Sequence, residues 1–123
     1  MKIAVIEDDF PIADMYKHKL RAAKHEVKVA YNGEEGLELL KTFQPDLALV
    51  DIKMPKLKGD EMLEEVRSCD WGADLRVIIL TNISRDEAPS KLRFLNIDRY
   101  IVKAHHTPSQ VLAVVNEVLG VKA

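Results

Sequence analysis

The sequence contains too little cysteine for a disulfide framework and no hydrophobic run long enough to cross a membrane. Its 123 residues include one cysteine, Cys69, which cannot form an internal disulfide. No apolar run approaches the ~20 residues that span a bilayer. The chain enters a strand directly at Met1–Ile6, so we expect no signal peptide. These features predict a cytoplasmic protein with no membrane partner.

The sequence also lacks an excess of charge of either sign. It has 18 Lys and Arg against 20 Asp and Glu, a net charge of -2, so we do not expect direct binding to nucleic acid. No Gly-x-Gly-x-x-Gly motif follows the first strand, which argues against a dinucleotide-binding domain. The length suits one domain with a real core, so residues 1–123 are interpreted as a single domain.

What the sequence does contain is an alternation of short apolar runs with longer amphipathic stretches. This pattern is typical of βαβ units and predicts an α/β fold with a parallel sheet. The second run alternates in polarity, which indicates a half-exposed strand at a sheet edge. The predicted strands are Ile3–Ile6, Glu26–Ala30, Leu47–Val50, Leu75–Leu80 and Asp98–Val102.

Five helices are predicted between and after these strands. Start and stop signals place the first from Pro11, the second after Asn32, the third from Gly59 and the fifth between Thr107 and Gly120.

The fourth predicted helix is shorter than the others. Pro89 inside a longer helix would remove an internal hydrogen bond. We therefore place this helix from about Pro89 to Leu95 and treat Ile83–Ala88 as an irregular lead-in.

Polar side chains follow four of the five predicted strands. Because right-handed crossovers bring the carboxyl ends of the strands to one edge of the sheet, these side chains should meet there. Several close carboxylates need a cation to offset their repulsion, and Mg²⁺ is a hard cation that prefers oxygen ligands. A lysine and a hydroxyl beside such acids suit the transfer of a phosphoryl group onto a carboxylate. The side chains are Glu7, Asp8, Asp9, Asp51, Thr81 and Lys103.

These residues resemble those of the response regulator receiver domain, a CheY-like family of two-component signal transduction. The resemblance covers essentially the whole chain and implies a three-layer, doubly wound, flavodoxin-like sheet of order 2-1-3-4-5. It also implies a phosphoprotein that is phosphorylated on Asp51 by a histidine kinase in a phosphorelay. The matching segments are Val5-Ile6-Glu7-Asp8, Asp51 with Met54-Pro55 and Gly59, Leu80-Thr81, and Tyr100-Ile101-Val102-Lys103.

The resemblance assigns the metal ligands. It implies that Asp8 binds Mg²⁺ directly and that Glu7 acts on it mainly through water. Asp51 would be both a ligand and the nucleophile, and the backbone carbonyl of Lys53 would be the third protein ligand. Alignment on the following Phe-Pro pair favours Glu7 and Asp8 as the acid pair, with Asp9 beside the site. The pair Asp8 and Asp9 remains the alternative.

The resemblance also assigns the response to phosphorylation. Thr81 and Lys103 would contact the phosphoryl oxygens, and Tyr100 would change rotamer on activation. The face formed by the fourth helix, fifth strand and fifth helix would then alter its affinity for a partner. The implied partners are a sensor histidine kinase or phosphotransfer protein and a downstream effector or fused output domain.

The chain departs from the family pattern near the site. Ala104 follows Lys103 where the family usually has a proline after a cis bond, so this peptide bond is left open as cis or trans. Asn82 stands where a small residue is usual. Lys53 and Ile83 flank the site, and we predict that they alter the lifetime of the phosphate. Arg99 weakens the case for an OmpR-type dimer, so we expect a monomer or a weak dimer through the face named above.

Other functions remain as alternatives. A haloacid-dehalogenase-like phosphatase needs a second aspartate two residues after the nucleophile, where this chain has Lys53. The adjacent histidines His105 and His106 have no further His or Cys nearby in sequence, so a loop is favoured over a metal site. An unphosphorylated pseudo-receiver that acts as a protein-interaction module stays open because of Asn82 and Ala104. The leading interpretation is a phosphoacceptor signalling domain and not an enzyme with a separate substrate.

Overall fold

The computed structural model describes residues 1–121 and contains one five-stranded parallel sheet. The strand order is β2-β1-β3-β4-β5, which confirms the order 2-1-3-4-5. The central strands β1, β3 and β4 are almost wholly buried, as their continuous apolar runs predict. The strand bounds are β1 Lys2–Ile6, β2 Glu26–Ala30, β3 Leu47–Val50, β4 Arg76–Thr81 and β5 Arg99–Val102.

Four α-helices cover the two faces of this sheet within the described residues. α1 and α4 pack on one face, where Tyr16, Leu20 and Val115 are buried against the sheet. α2 and α3 pack on the other face with buried Leu40 and Met62. The arrangement is the three-layer, doubly wound architecture that the resemblance implies, and it agrees with the α/β fold that the alternating pattern predicts. The helix bounds are α1 Phe10–Ala22, α2 Gly33–Phe43, α3 Gly59–Arg67 and α4 Pro108–Leu119.

The predicted caps begin and end these helices. The Asn32 side chain accepts a hydrogen bond from the Glu35 N–H at 2.8 Å and so satisfies one free donor at the start of α2. At the start of α4, Thr107 and Gln110 exchange side-chain and backbone hydrogen bonds in a capping box. Gly120 ends α4 in the left-handed conformation, with φ of 71°.

The prediction of an α-helix from about Pro89 to Leu95 is wrong. Two short 3₁₀ turns, Arg85–Glu87 and Ser90–Phe94, stand in its place. Ala88, just before the proline, is extended (ψ 148°), so the helical conformation is interrupted there. After Pro89, only six residues remain before Asn96 turns left-handed (φ 55°).

The spacing of the buried side chains explains why the second turn is 3₁₀. Leu92 and Leu95 are both buried, and residues three apart in a 3₁₀ turn lie directly above one another. Backbone hydrogen bonds with the same spacing run from the Leu92 N–H to the Pro89 carbonyl and from the Leu95 N–H to the Leu92 carbonyl. The irregular lead-in before Pro89 agrees with the sequence-based prediction.

No helix within residues 1–121 combines the length and the apolarity that a membrane crossing requires.

Candidate functional site

The strand ends bring the predicted polar residues to one edge of the sheet. β1 ends just before Glu7, and β3 ends just before Asp51. Backbone hydrogen bonds continue the pairing by one residue: the Asp51 N–H donates to the Ile6 carbonyl at 3.0 Å, and the Glu7 N–H donates to the Ala30 carbonyl at 3.0 Å. These bonds hold the backbone of both acidic residues at the edge of the sheet.

Lys103 joins the two acids from the end of β5. Its Nζ donates to Asp51 Oδ2 at 3.2 Å and forms a second ion pair with Glu7 Oε1. Glu7 is 4% exposed and Asp51 is 8% exposed, so both carboxylates lie largely out of water. Removing Lys103 would therefore leave two buried carboxylates without their shared cation.

The pKa values of Glu7 and Lys103 are both raised, for different physical reasons. Burial raises the pKa of Glu7 to about 8, with a further contribution from Asp51, while Lys103 opposes the shift. Burial alone would lower the pKa of Lys103, but its hydrogen bond to Glu7 and the negative charges of Asp51 and Glu7 outweigh this, so its pKa is raised. The lysine is charged across the ordinary pH range, whereas Glu7 holds a proton more tightly than a free glutamate does.

Three carboxylates form a cluster that fits a divalent cation. One ligand oxygen from each of Glu7, Asp8 and Asp51 lies within 4.8 Å of the other two. When both carboxyls are ionised, the buried Glu7 Oε2 and Asp51 Oδ1 have no hydrogen-bond donor among the described residues. Buried acceptors without partners are costly, and a hard cation with oxygen ligands would satisfy both. The donor set thus suits Mg²⁺.

Asp9 has a structural role at this edge of the sheet, where it caps α1. Its Oδ1 accepts a hydrogen bond from the Ile12 N–H at 3.1 Å, which makes Asp9 the N-cap of α1. Asp9 is outside the carboxylate cluster that the described residues form, whereas Glu7 and Asp8 belong to it. The arrangement therefore favours Glu7 and Asp8 as the acid pair over Asp8 and Asp9.

A pocket of about 320 Å³ opens beside Asp51. Phosphoryl transfer needs such a space, because the donor must reach the carboxylate from outside. Ser84 and Glu87 belong to the wall and were not predicted as site residues; the only sequence signal was their capping-box spacing. The lining residues are Asp51, Lys53, Thr81, Asn82, Ile83, Ser84 and Glu87.

Thr81, Ile83 and Tyr100 are connected by hydrogen bonds that lead away from the pocket. The buried Thr81 Oγ1 accepts from the Ile83 N–H at 3.4 Å. The Tyr100 hydroxyl donates to the Ile83 carbonyl at 2.7 Å. The resemblance implies that Thr81 and Tyr100 respond together to phosphorylation, and in the structure both side chains contact the backbone of Ile83.

Gly59 allows the start of α3 to approach Asp51 closely. A Cβ at this position would lie 2.1 Å from the Asp51 carbonyl oxygen, too close for any side chain. The Gly59 N–H also donates to the Ile52 carbonyl at 2.9 Å. The glycine therefore fixes the backbone that follows Asp51, and the role of the Lys53 carbonyl as a metal ligand stays a prediction.

The loop after β5 begins with the Lys103–Ala104 peptide bond, which the sequence left open as cis or trans. No peptide bond within residues 1–121 is cis, so Lys103–Ala104 is trans. A 3₁₀ turn, Lys103–His105, follows the strand, and neither histidine of the pair enters the carboxylate cluster. Arg99 forms an ion pair with Glu117 of α4 at 2.6 Å.

Comparison with known proteins identifies the family. The sequence model of the family described as the response regulator receiver domain matches residues 3–116, which are most of the chain. This match, together with the strand order and the carboxylate cluster, shows that the chain belongs to the response regulator receiver domain family.

Individual relatives agree with this assignment. A Haloferax volcanii protein, described as a candidate transcriptional regulator, is 35% identical over 117 residues, which are 95% of this chain and 19% of the relative. Hybrid signal transduction histidine kinase D of Dictyostelium discoideum is 29% identical over 114 residues, which are 93% of this chain and 7% of that protein. The chain therefore spans at most about a fifth of the length of these curated relatives.

A solved structure is similar over nearly the whole fold. The CheY-like response regulator receiver domain protein from Methanospirillum hungatei JF-1 is 30% identical and superposes with a TM-score of 0.86. The match covers 97% of this chain and 93% of that one. The CheY-like fold implied by the resemblance is thus confirmed.

Proposed function

We propose that this chain is a phosphoacceptor domain that takes a phosphoryl group on Asp51 from a histidine kinase or a phosphotransfer protein. The observation that carries the proposal is the position of Asp51 itself. Its carboxylate is paired with Lys103, belongs to the cluster with Glu7 and Asp8, and lines a pocket that a donor can enter. The names of the curated relatives, a histidine kinase and a regulator, support a place in such signalling.

The proposed reaction is a displacement at phosphorus. An Asp51 carboxylate oxygen forms a bond to phosphorus while the bond from phosphorus to the donor histidine nitrogen breaks, and that nitrogen keeps the electron pair. Lys103 would bind the phosphoryl oxygens by ion pairing and the Thr81 hydroxyl would donate a hydrogen bond to them, which is supported by the contact of Lys103 with Asp51 and by the position of Thr81 in the pocket wall. The chain thus promotes its own modification and is not proposed to turn over a separate substrate.

We further propose Mg²⁺ as the cation of the site. Asp8 and Asp51 would hold it directly, with the backbone carbonyl of Lys53, and Glu7 would act mainly through water. When bound, Mg²⁺ supplies positive charge that offsets the carboxylates and the phosphoryl oxygens. The unpartnered oxygens of Glu7 and Asp51 support this assignment.

The proposed output is a change in the surface made by the two 3₁₀ turns, β5 and α4. A phosphoryl oxygen would accept a hydrogen bond from the Thr81 hydroxyl and draw it toward the pocket, which would move it away from the Ile83 N–H that now donates to its oxygen. Since Tyr100 is held by the Ile83 carbonyl, a shift of that backbone would release or move the tyrosine. The phosphate changes the balance between two conformations only by stabilising one of them more. An effector or a fused output domain would bind the altered surface.

Phosphorylation of Asp51 is tested with acetyl phosphate, with Mg²⁺ present or chelated. Intact mass spectrometry should show the addition of one phosphoryl group to the native chain with Mg²⁺, and no addition to Asp51→Asn, because the amide is a far weaker nucleophile. Lack of modification by acetyl phosphate and by every histidine kinase tried would refute the proposal and leave the pseudo-receiver.

The raised pKa of Glu7 predicts that Mg²⁺ binding depends on pH. Below about pH 8 the Glu7 carboxyl in the metal-free protein is mostly protonated. Bound Mg²⁺ favours the ionised form, so its binding releases this proton. The apparent affinity should rise by up to about tenfold per pH unit up to about pH 8 and level off above it. Isothermal titration calorimetry should show this slope for the native chain and a flatter one for Glu7→Gln; equal slopes would contradict the prediction.

Lys53 and Ile83 are predicted to set the lifetime of the phosphate, because both line the pocket from which water must reach phospho-Asp51. The smaller side chains of a Lys53→Asn, Ile83→Ala double variant should admit water more readily, and we expect dephosphorylation about tenfold faster. The decay of ³²P-labelled protein measures this rate. Lys41→Met on the exposed surface of α2 is the control, and unchanged decay in the double variant would overturn the prediction.

A further inference from the structure

Glu87 places a fixed negative charge on the wall of the pocket that opens over Asp51. Among the described lining residues it is the one carboxylate other than Asp51 itself. Two hydrogen bonds hold it there: the Ser84 hydroxyl donates to Glu87 Oε1 at 3.0 Å, and the Glu87 N–H donates to the Ser84 carbonyl at 3.0 Å. The 3₁₀ turn that replaces a fourth helix therefore directs this carboxylate to the pocket.

The charges around the pocket give Glu87 an effect on incoming anions. One divalent cation together with Lys103 would balance the three carboxylates of the cluster. Lys53 on the pocket wall would then attract a phosphodonor, and Glu87 on the same wall cancels that attraction.

The electrostatic influence of Glu87 extends to the residues beside the pocket. Burial raises the pKa of the Tyr100 hydroxyl, and the negative charges of Asp51 and Glu87 raise it further, while Arg85 opposes them. The same hydroxyl donates to the Ile83 carbonyl on the pocket wall. Glu87 is thus close enough to act on a group that contacts the site.

We infer that Glu87 is a specificity-determining residue that slows phosphorylation of Asp51 by small, free anionic phosphodonors. The inference rests on the phosphoacceptor function proposed above. A donor protein that docks on the chain gains binding energy from contacts remote from the phosphoryl group, and this energy overcomes the repulsion at the pocket. A free anion has no such contacts. Glu87 therefore favours phosphorylation of Asp51 by the phosphohistidine of a bound protein over phosphorylation by a small free donor.

The test compares the native chain with Glu87→Gln, which keeps the size of the side chain and can still accept from Ser84. Phosphorylation by dianionic acetyl phosphate should be about three- to tenfold faster in the variant at low ionic strength. Phosphoramidate carries a single net negative charge, so the rate of phosphorylation by this donor should increase only by about the square root of that factor. Both gains should shrink as salt is added, because the affected charges are exposed.

Glu38→Gln is the matched control, because it removes the same charge from an exposed position on α2. It should leave both rates close to those of the native chain. Equal gains in the two glutamine variants, or no gain in Glu87→Gln, would overturn the inference. So would a slower dephosphorylation with unchanged phosphorylation, since this would make Glu87 a residue that positions water.

A binding measurement separates this inference from the proposed phosphotransfer. Inorganic phosphate is titrated into each protein with Mg²⁺ present, and the amide signals of Thr81–Ser84 are followed by NMR. The dissociation constant should be about three- to tenfold lower for Glu87→Gln than for the native chain. This result is expected even if Asp51 accepts no phosphoryl group from any donor. Equal constants would overturn the role of Glu87 while leaving phosphotransfer to Asp51 intact.

Discussion

Replacing Lys103 by methionine is expected to slow phosphoryl transfer to Asp51 by about 10²–10³-fold. Lys103 contacts Asp51 Oδ2 at 3.2 Å and is the cation that we propose to interact with the phosphoryl oxygens. Methionine keeps most of the volume of the lysine stem and removes the charge. Since Lys103 also opposes the raised pKa of Glu7, its loss should raise that pKa further. The measurement is the rate of phosphorylation by acetyl phosphate with saturating Mg²⁺, followed by intact mass.

Lys41→Met is the control for this substitution. Lys41 is an exposed residue of α2, so its replacement changes the net charge equally without touching the site. We expect a rate within about twofold of the native value, because Lys41 is exposed to screening by salt and does not line the pocket. Circular dichroism should show that both variants are folded. A Lys103→Met variant that is phosphorylated as fast as Lys41→Met would exclude a direct role for Lys103.

Replacing Arg67 by methionine is expected to lower the free energy of unfolding by about 2–4 kcal/mol. Its guanidinium donates to the carbonyls of Leu95, Gly72 and Asn96 at 2.8, 2.9 and 3.0 Å, and to that of Ala73 at 3.2 Å. Arg67 thus ties the end of α3 to the loop before β4 and to the loop before β5. Burial lowers the pKa of Arg67, and the charges of nearby aspartates oppose that shift.

Arg21→Met provides a matched comparison for Arg67. Arg21 is exposed and donates one hydrogen bond, to the Val27 carbonyl at 2.9 Å, so its loss should cost about 0.5–1.5 kcal/mol. Urea unfolding followed by circular dichroism gives both free energies. Equal losses for the two arginines would show that the contacts of Arg67 do not stabilise these loops beyond an ordinary surface hydrogen bond.

The parallel sheet and the place of the site could be predicted because both follow from general rules on apolar runs and crossover handedness, whereas the strand order was implied by the resemblance to the family. Continuous apolar runs such as Leu47–Val50 mark buried parallel strands. Right-handed crossovers then bring Asp51 and Lys103, distant in sequence, to the same edge. Caps such as Asn32 could be predicted because a cap is a local interaction.

The segment after β4 could not be predicted in full. The sequence indicates that Pro89 interrupts a helix, but both α-helical and 3₁₀ turns satisfy this restriction. The choice depends on how Leu92 and Leu95 pack beneath the turn, which is a tertiary interaction. For the same reason the sequence did not show that Ser84 and Glu87 line the pocket, since their direction depends on this turn.

The electrostatic state of the site could not be predicted from the sequence either. Glu7, Asp8 and Asp9 are three acids in a row; alignment with the family favours the first two as the pair, but their burial and hydrogen bonds are visible only in the structure. Glu7 is buried against Lys103, Asp8 is exposed within the cluster, and Asp9 caps α1. A sequence does not show how strongly a carboxylate is desolvated or whether its oxygens have hydrogen-bond partners.

The measurement that tests the central claim most directly is the chemical location of the phosphoryl group. The protein is phosphorylated with acetyl phosphate and Mg²⁺, then treated with borohydride, which reduces an aspartyl phosphate to homoserine. Peptide mass mapping should find homoserine at position 51 and at no other aspartate. Homoserine at Asp8 or Asp9, or at no position in a chain that has gained a phosphoryl group, would contradict the account.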